Sequence, residues 1–294
     1  KTVEKVHATM RDLNYLPSVA ARSMQGKGTN LIGVIFPTVS HPFFGEMVAH
    51  IERILFGKGY KVILCGSESN EEKEREYLRM LGANRVDGII TGTHNADIEE
   101  YEATGAPIIA FDRSLSKNVP IVSSDNLLGG KLGTEALLAA GAKKIAILTG
   151  SNHPSLPTYQ RYEGYAQTMA AHGRKPLLCK CAQPTVTLKA MQIAAILKSG
   201  QADGFVCTDD LTAIMVINEA KKLSLRVPED IKVVGYDATA LIRNYYPFLT
   251  TVAQPIEDCA ILMCDLLLRR IISPEEEMER QYILPVKLLT GGSV

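Results

Sequence analysis

The residues of this chain that could do chemistry are dispersed, and none of them form a reactive cluster. Its six histidines, His7, His41, His50, His94, His153 and His172, show no paired spacing that would seat a metal. The six cysteines (Cys65, Cys179, Cys181, Cys207, Cys259 and Cys264) include one C-x-C at 179 and 181, but no second pair and no spaced histidine completes a zinc site. No GxSxG, HExxH or P-loop string occurs, and no GxGxxG follows the first apolar run. The glycines of Gln25–Thr29 have the wrong spacing for a phosphate loop, and no strand precedes them. We therefore expect no catalytic residues, no metal and no cofactor. What remains is a series of polar positions that each follow an apolar run: Ser40–Phe44, Asp112, Asp125, Asp209 and Asp237.

Those positions gain meaning from the elements before them. Short apolar, β-branched runs predict strands at 31–36, 61–65, 88–91, 107–111, 121–123, 144–148, 177–181, 205–208 and 232–236. Segments of helical length and period lie between them. Phe44, Met47, Val48, Ile51 and Leu55 mark one apolar face, and Leu127, Leu128, Leu132, Ala136 and Leu137 mark another. Ser69 followed by Glu72 predicts a capping-box start for a helix running through Leu81. Alternating strands and helices imply parallel sheets covered on both faces. At 294 residues, nine such strands divide better between two sheets than in one. Ligands of open α/β sheets sit beyond the carboxyl ends of the strands, so two facing sheets would make a cleft lined by the polar positions above.

Composition sets the outer limits. Apolar residues make up 46% and charged residues 22%, enough to fill a core in each of two lobes. No run approaches the ~18 apolar residues of a membrane span, and no signal-peptide core opens the chain. The first residue is Lys1 in place of Met, from which we expect a piece of a longer protein. The cysteines read as buried reduced thiols of a cytoplasmic protein. Net charge is zero, but residues 1–30 carry Lys1, Lys5, Arg11, Arg22 and Lys27 against Glu4 and Asp12, five cations to two anions and so +3. A basic leading segment on a slightly acidic body suits a part that touches phosphate joined to one that does not. Within it, 18–24 is an alanine-rich helical run too short to hold its shape alone in water, which describes a switchable hinge.

The string Leu13-Asn14-Tyr15-Leu16-Pro17-Ser18-Val19-Ala20-Ala21-Arg22-Ser23-Met24, followed by Thr29-Asn30-Leu31-Ile32-Gly33-Val34-Ile35-Phe36-Pro37, resembles the lactose repressor (LacI/GalR) family of bacterial regulators. Pro42-Phe43-Phe44, Asp112-Arg113, Gly235-Tyr236-Asp237 and Leu249-Thr250-Thr251-Val252-Ala253-Gln254-Pro255 continue the match in the family's order over nearly the whole chain. The resemblance implies two Rossmann-like lobes of the periplasmic-binding-protein type, preceded by a helix-turn-helix remnant at 1–15 and a hinge helix and linker at 16–30. It implies one lobe at 31–142 plus 252–283 and another at 143–251 plus 284–294. It implies DNA contacts at Ser18, Ala21, Arg22 and Met24, Ser18 standing where the family has Asn and Met24 where it has a Leu wedge. Ligand contacts are implied at Phe43, Phe44, Asp112, Asp125, Ser155, Arg161, Thr208, Asp209 and Asp237. Arg161 would offer forked donors, Asp237 would accept vicinal hydroxyls, and Thr208 replaces a family Asn.

The function so implied is a transcriptional repressor, not an enzyme. A homodimer would bind operator DNA, and a sugar or sugar phosphate in the cleft would control that binding. Segments 235–239 and 244–247 are similar to sucrose- and fructose-responsive members. The alternatives are a periplasmic-type sugar-binding protein for transport, a global catabolite regulator with a phosphoprotein corepressor, and a nucleotide-dependent α/β enzyme.

Overall fold

The computed structural model describes residues 9, 10, 12, 28–93, 95, 98–115, 118–150 and 153–294. The expected helix-turn-helix remnant and hinge fall almost wholly outside these residues, as do Ser18, Ala21, Arg22 and Met24.

Two six-stranded sheets form the rest. The first has the order β11-β5-β4-β3-β1-β2, built from β1 (Leu31–Phe36), β2 (Lys61–Gly66), β3 (Gly88–Thr91), β4 (Ile108–Phe111), β5 (Ile121–Ser124) and the late β11 (Gln281–Leu284). All its pairings are parallel. The second has the order β12-β10-β9-β8-β6-β7, from β6 (Ile145–Thr149), β7 (Leu177–Lys180), β8 (Gly204–Cys207), β9 (Lys232–Asp237), β10 (Thr250–Ala253) and β12 (Lys287–Leu289). Only β12 runs antiparallel, against β10. The nine expected strands are present to within a residue or two at each end. Sequence patterning missed β10, β11 and β12, which are only three or four residues long and add to sheets already formed.

Helices cover both sheets. On the first, α1 (Pro42–Gly57) buries Phe43, Met47, Ile51 and Leu55, and α9 (Ile256–Ile272) buries Cys259, Met263, Leu266 and Leu267 beside them. The helix α2 (Glu71–Ala83) also covers this sheet through Leu78 and Leu81, and the short α3 (Glu100–Ala103) adds Tyr101. The second sheet is covered by α4 (Asn126–Ala139), α5 (Pro157–Ala171), α6 (Val186–Lys198) and α7 (Asp210–Lys222), with the short α8 (Ala240–Tyr245) following β9. All six cysteines are free and buried, as the sequence suggested. Among the described residues no helix is long and apolar enough to cross a membrane.

Three local details depart from expectation. The cap of α2 is Asn70, whose side chain accepts from the Lys73 amide at 3.0 Å, and not Ser69, which adopts a φ of +57° in the turn before it. The buried face of α4 is Gly129, Gly130, Gly133, Thr134 and Leu137, so the leucines at 127, 128 and 132 flank it without defining it. That small-residue face lies on Val206, Val234 and Val252 of the second sheet, so α4 belongs with the second lobe and not, as the boundary at 142 has it, with the first. Pairing of β10 with β9 likewise puts residues 252 and 253 in the second sheet. The chain thus crosses between sheets just after β5, just after β10 and just after β11.

The small-residue face has a second use. A Cβ on Gly130 would overlap the carbonyl oxygen of Arg161, and one on Gly164 would overlap that of Leu127. The two helices α4 and α5 therefore touch backbone to backbone, and this contact sets the position of Arg161, one turn before Gly164. We expect Gly164→Ala to lose about 1–3 kcal/mol through overpacking, although alanine's helix propensity alone would add ~1 kcal/mol. A melting midpoint at or above the parent's would show that the backbones do not meet there.

Candidate functional site

Loops at the carboxyl ends of the two sheets enclose a cavity of about 340 Å3. The first sheet contributes His41, Phe43, Phe44, Gly92, Phe111 and Asp112; the second contributes Leu156, Pro157, Arg161, Thr208, Asp209 and Asp237, with Gln254 at the crossing after β10.

Arg161 is the centre of the arrangement. It is buried, and its Nε donates to Asn126 Oδ1 at 2.8 Å while a terminal nitrogen donates to the Thr208 carbonyl at 2.5 Å. The guanidinium carbon lies 3.7 Å from the centroid of the Tyr236 ring, a cation–π contact. Asn126 in turn donates to Asp112 Oδ1 and to the Ser124 carbonyl, each at 3.1 Å, and accepts from the Tyr236 hydroxyl at 3.3 Å. One amide at the first crossing thus joins a carboxylate of the first lobe to a cation of the second.

Asp237 ends β9 and is buried; its Oδ1 accepts from Gln254 Nε2 at 2.7 Å. Three residues at the cavity wall or beside it hold left-handed backbone: Asp112 at φ +61°, Asp237 at +117° and Ala238 at +54°. Such conformations persist only where neighbours enforce them. At 237–238 the enforcing group is Asp210, which accepts from the Ala238 amide at 2.7 Å and from the Thr251 hydroxyl at 2.5 Å.

Burial dominates the electrostatics. It pushes the Asp112 carboxyl up to about 6, against the opposing pull of Arg161 and Asn126. It pushes Asp210 up to about 7, against hydrogen bonds from Thr251 and Ala238, and it pushes Asp237 well above the usual carboxylate range. Burial lowers His41, with Lys189 and Arg161 acting in the same direction and Asp209 against them.

Of the nine expected ligand residues, seven line the cavity. Phe43 is largely committed to the core, packed against Phe111 at 5.8 Å and edge-on to Phe44 at 5.4 Å, whereas Phe44 is only half-buried in the cavity wall. Asp209 caps α7, both of its oxygens accepting from Thr212, while still lining the cavity. The other two do not line it. Asp125 caps α4 through the Leu128 amide at 2.8 Å, and Ser155 is exposed and bonded to His153 at 2.8 Å. Sequence reasoning passed over Asn126 and Gln254. Each adjoins a position that was noticed, Asp125 and the Val252-Ala253-Gln254-Pro255 string, but an amide carries no charge to draw attention. It had flagged His41 only as part of 40–44. Among the described residues, the Nδ1 of His41 and the Oε1 of Gln254 are buried without a hydrogen-bond partner, and both residues line the cavity. Among the described residues no group of three or more His, Cys, Asp or Glu could hold a metal ion.

Comparison with known proteins agrees with this architecture along its length. The family described as periplasmic binding proteins and sugar binding domain of LacI family matches residues 29–290. The sucrose operon repressor of Pediococcus pentosaceus is 54% identical over 292 residues, 99% of this chain and 90% of that protein. A LacI family transcriptional regulator from Enterococcus faecium, solved with bound ribose, has a TM-score of 0.80 at 30% identity, covering 90% of this chain and 98% of that one. The Lac repressor bound to ONPG in its repressed state has a TM-score of 0.84 at 27% identity, covering 100% of this chain and 90% of that one. The two crossed lobes, the cleft and these matches together show that the chain belongs to the LacI family of transcriptional regulators, a family of DNA-binding repressors and not of enzymes.

Proposed function

We propose that this protein is a sugar-sensing transcriptional repressor of the cytoplasm, acting as a homodimer on operator DNA, and that its effector is sucrose, its fructose moiety or a phosphate of either. The observation that carries the reading is the cavity itself. A forked cation already oriented by Asn126, Thr208 and Tyr236 faces carboxyls at 112, 209 and 237, with Phe44 as an apolar wall. Carboxyls and amides accept and donate to vicinal hydroxyls, and a flat aromatic covers the apolar face of a sugar ring. Resemblance to a sucrose operon repressor narrows the sugar. The same match takes in most of the leading 30 residues, which a transport protein has no need of, and so favours a repressor.

Effector and operator would be linked through the crossings. Asp112 on one lobe and Arg161 on the other share Asn126, so a guest that draws on both changes the angle between the lobes. That angle would govern the operator contacts expected at Ser18, Ala21, Arg22 and Met24. A corepressor phosphoprotein remains the second reading within the family, tested by capture on an immobilised phosphocarrier protein.

A thermal-shift series with sucrose, fructose, ribose and their phosphates tests the assignment. A cleft ligand at ~100 times its dissociation constant stabilises by ~2.7 kcal/mol. Arg161→Ala and Asp237→Asn should abolish that shift, and a shift of unchanged size in both variants would move the site elsewhere. The acids make a second test. An acid held above its unfolded range of about 3.9 keeps its proton in the folded chain after the unfolded one has lost it. Its stabilising share is complete below that range and is lost as pH rises through the folded value, here about 6 for Asp112 and about 7 for Asp210. The melting midpoint should therefore carry a downward contribution between about pH 4.5 and 7.5, and Asp210→Asn should flatten it. Parallel pH profiles for parent and variant would contradict the assignment to Asp210.

A further inference from the structure

The strap that enters the first lobe is gripped by a single carboxylate. Asp87, in the turn before β3, accepts from the Thr29 amide at 2.7 Å and from the Asn30 amide at 2.8 Å, one on each oxygen. The Thr29 hydroxyl lies 3.0 Å from Asp87 Oδ1 and 3.0 Å from the Arg85 carbonyl, and Thr29 is buried. The Asp87 amide returns the contact by donating to the Leu31 carbonyl at 2.8 Å. A Cβ on Gly28 would press on the same carboxylate, and Asn30 holds a φ of +57°, so the backbone is bent to fit the grip.

The other end of β3 is the cavity. Residues 88–91 are buried, Gly92 lines the cleft, and Thr93 is fixed by donating to the buried Glu74 at 2.8 Å. Five residue steps separate Asp87 from Gly92, ~17 Å of extended chain. A short, fully buried strand tied at both ends cannot change its length or bend freely, so a shift at Gly92 is passed to Asp87.

We infer that Asp87 is a positioning residue for regulation: it fixes the direction in which the strap leaves the sensor, and β3 carries the state of the cavity to it. This rests on the repressor reading above. Asp87 touches neither the cavity nor, by its place in the fold, DNA, so its substitution separates coupling from binding.

The test uses the full-length repressor, a duplex that it selects in vitro, and the sugar that gives the largest thermal shift. In Asp87→Asn the sugar's dissociation constant stays within about twofold of the parent's, operator binding weakens about tenfold and the sugar-induced change in operator affinity shrinks, because charge-assisted bonds to two amides are lost. Thr29→Val, which keeps the amides and loses only the hydroxyl, gives a smaller loss in the same direction. Parent-like operator affinity and sugar response in both variants overturn the inference. A second arm uses the 294-residue chain: trypsin cuts after Lys27 several-fold faster in Asp87→Asn than in the parent, with cuts elsewhere unchanged. An unchanged rate after Lys27 overturns the grip. If the parent itself binds sugar without any change in operator affinity, the repressor reading fails, while the trypsin arm still decides whether Asp87 holds the strap.

Discussion

A positive charge taken out of water between two lobes is the constraint on which the rest of this structure depends. An unpaired guanidinium in such a place would cost several kcal/mol in desolvation. Arg161 avoids that with an amide oxygen, a backbone carbonyl and the face of Tyr236, none of which carries a formal charge. Its positive charge is therefore oriented without being neutralised by a direct ion pair. That leaves it able to raise the binding of a polar guest, and to oppose the upward push of burial on the carboxyls of Asp112 and Asp237. The strained backbone at Asp112 and Asp237 belongs to the same plan: side chains are held in place before a guest arrives, so less ordering remains to be done on binding.

This placement requires an unusually close helix pair. Two glycines let α4 and α5 meet, and a bulkier residue at either would push α5 outward and carry Arg161 away from Asn126. Asn126 itself sits where the chain passes from the first sheet to the second. The hub of the site and a hinge of the molecule are thus within two residues of each other. Motion of one lobe against the other cannot occur without altering the bonds around the cavity, and that is the physical content of coupling in this protein.

Much of this could be read from the residues. Long strands with β-branched runs, such as 31–36 and 232–236, announce themselves, and polar residues just after them mark a cleft once two facing sheets are assumed. Asp112 and Asp237 were legible for that reason, whereas Arg161, inside a helix, was reached only through the family resemblance. Asp125 was misleading because a carboxylate at a helix start satisfies a local amide as readily as it serves a ligand, and spacing alone cannot separate the two uses. Ser155 was placed by a loop whose course no periodicity fixes. Asn126 and Gln254 were passed over because their importance lies in whom they touch far along the chain, 14, 35 and 110 positions away for Asn126 and 17 for Gln254. The face of α4 was misjudged because leucines draw the eye, whereas close approach selected glycines.

The order of segments along the chain has a consequence for how the molecule is made. The first sheet needs β11, and its covering layer needs α9, both drawn from residues 256–284. A ribosome that has finished the first five strands has therefore produced a sheet with one flank bare and a row of apolar side chains waiting for a helix about 130 residues further on. The second lobe, apart from its last edge strand, is complete in the nascent chain before the first can close. Synthesis from the amino end thus completes most of the second lobe first and leaves the first lobe open until residues 256–284 have been added.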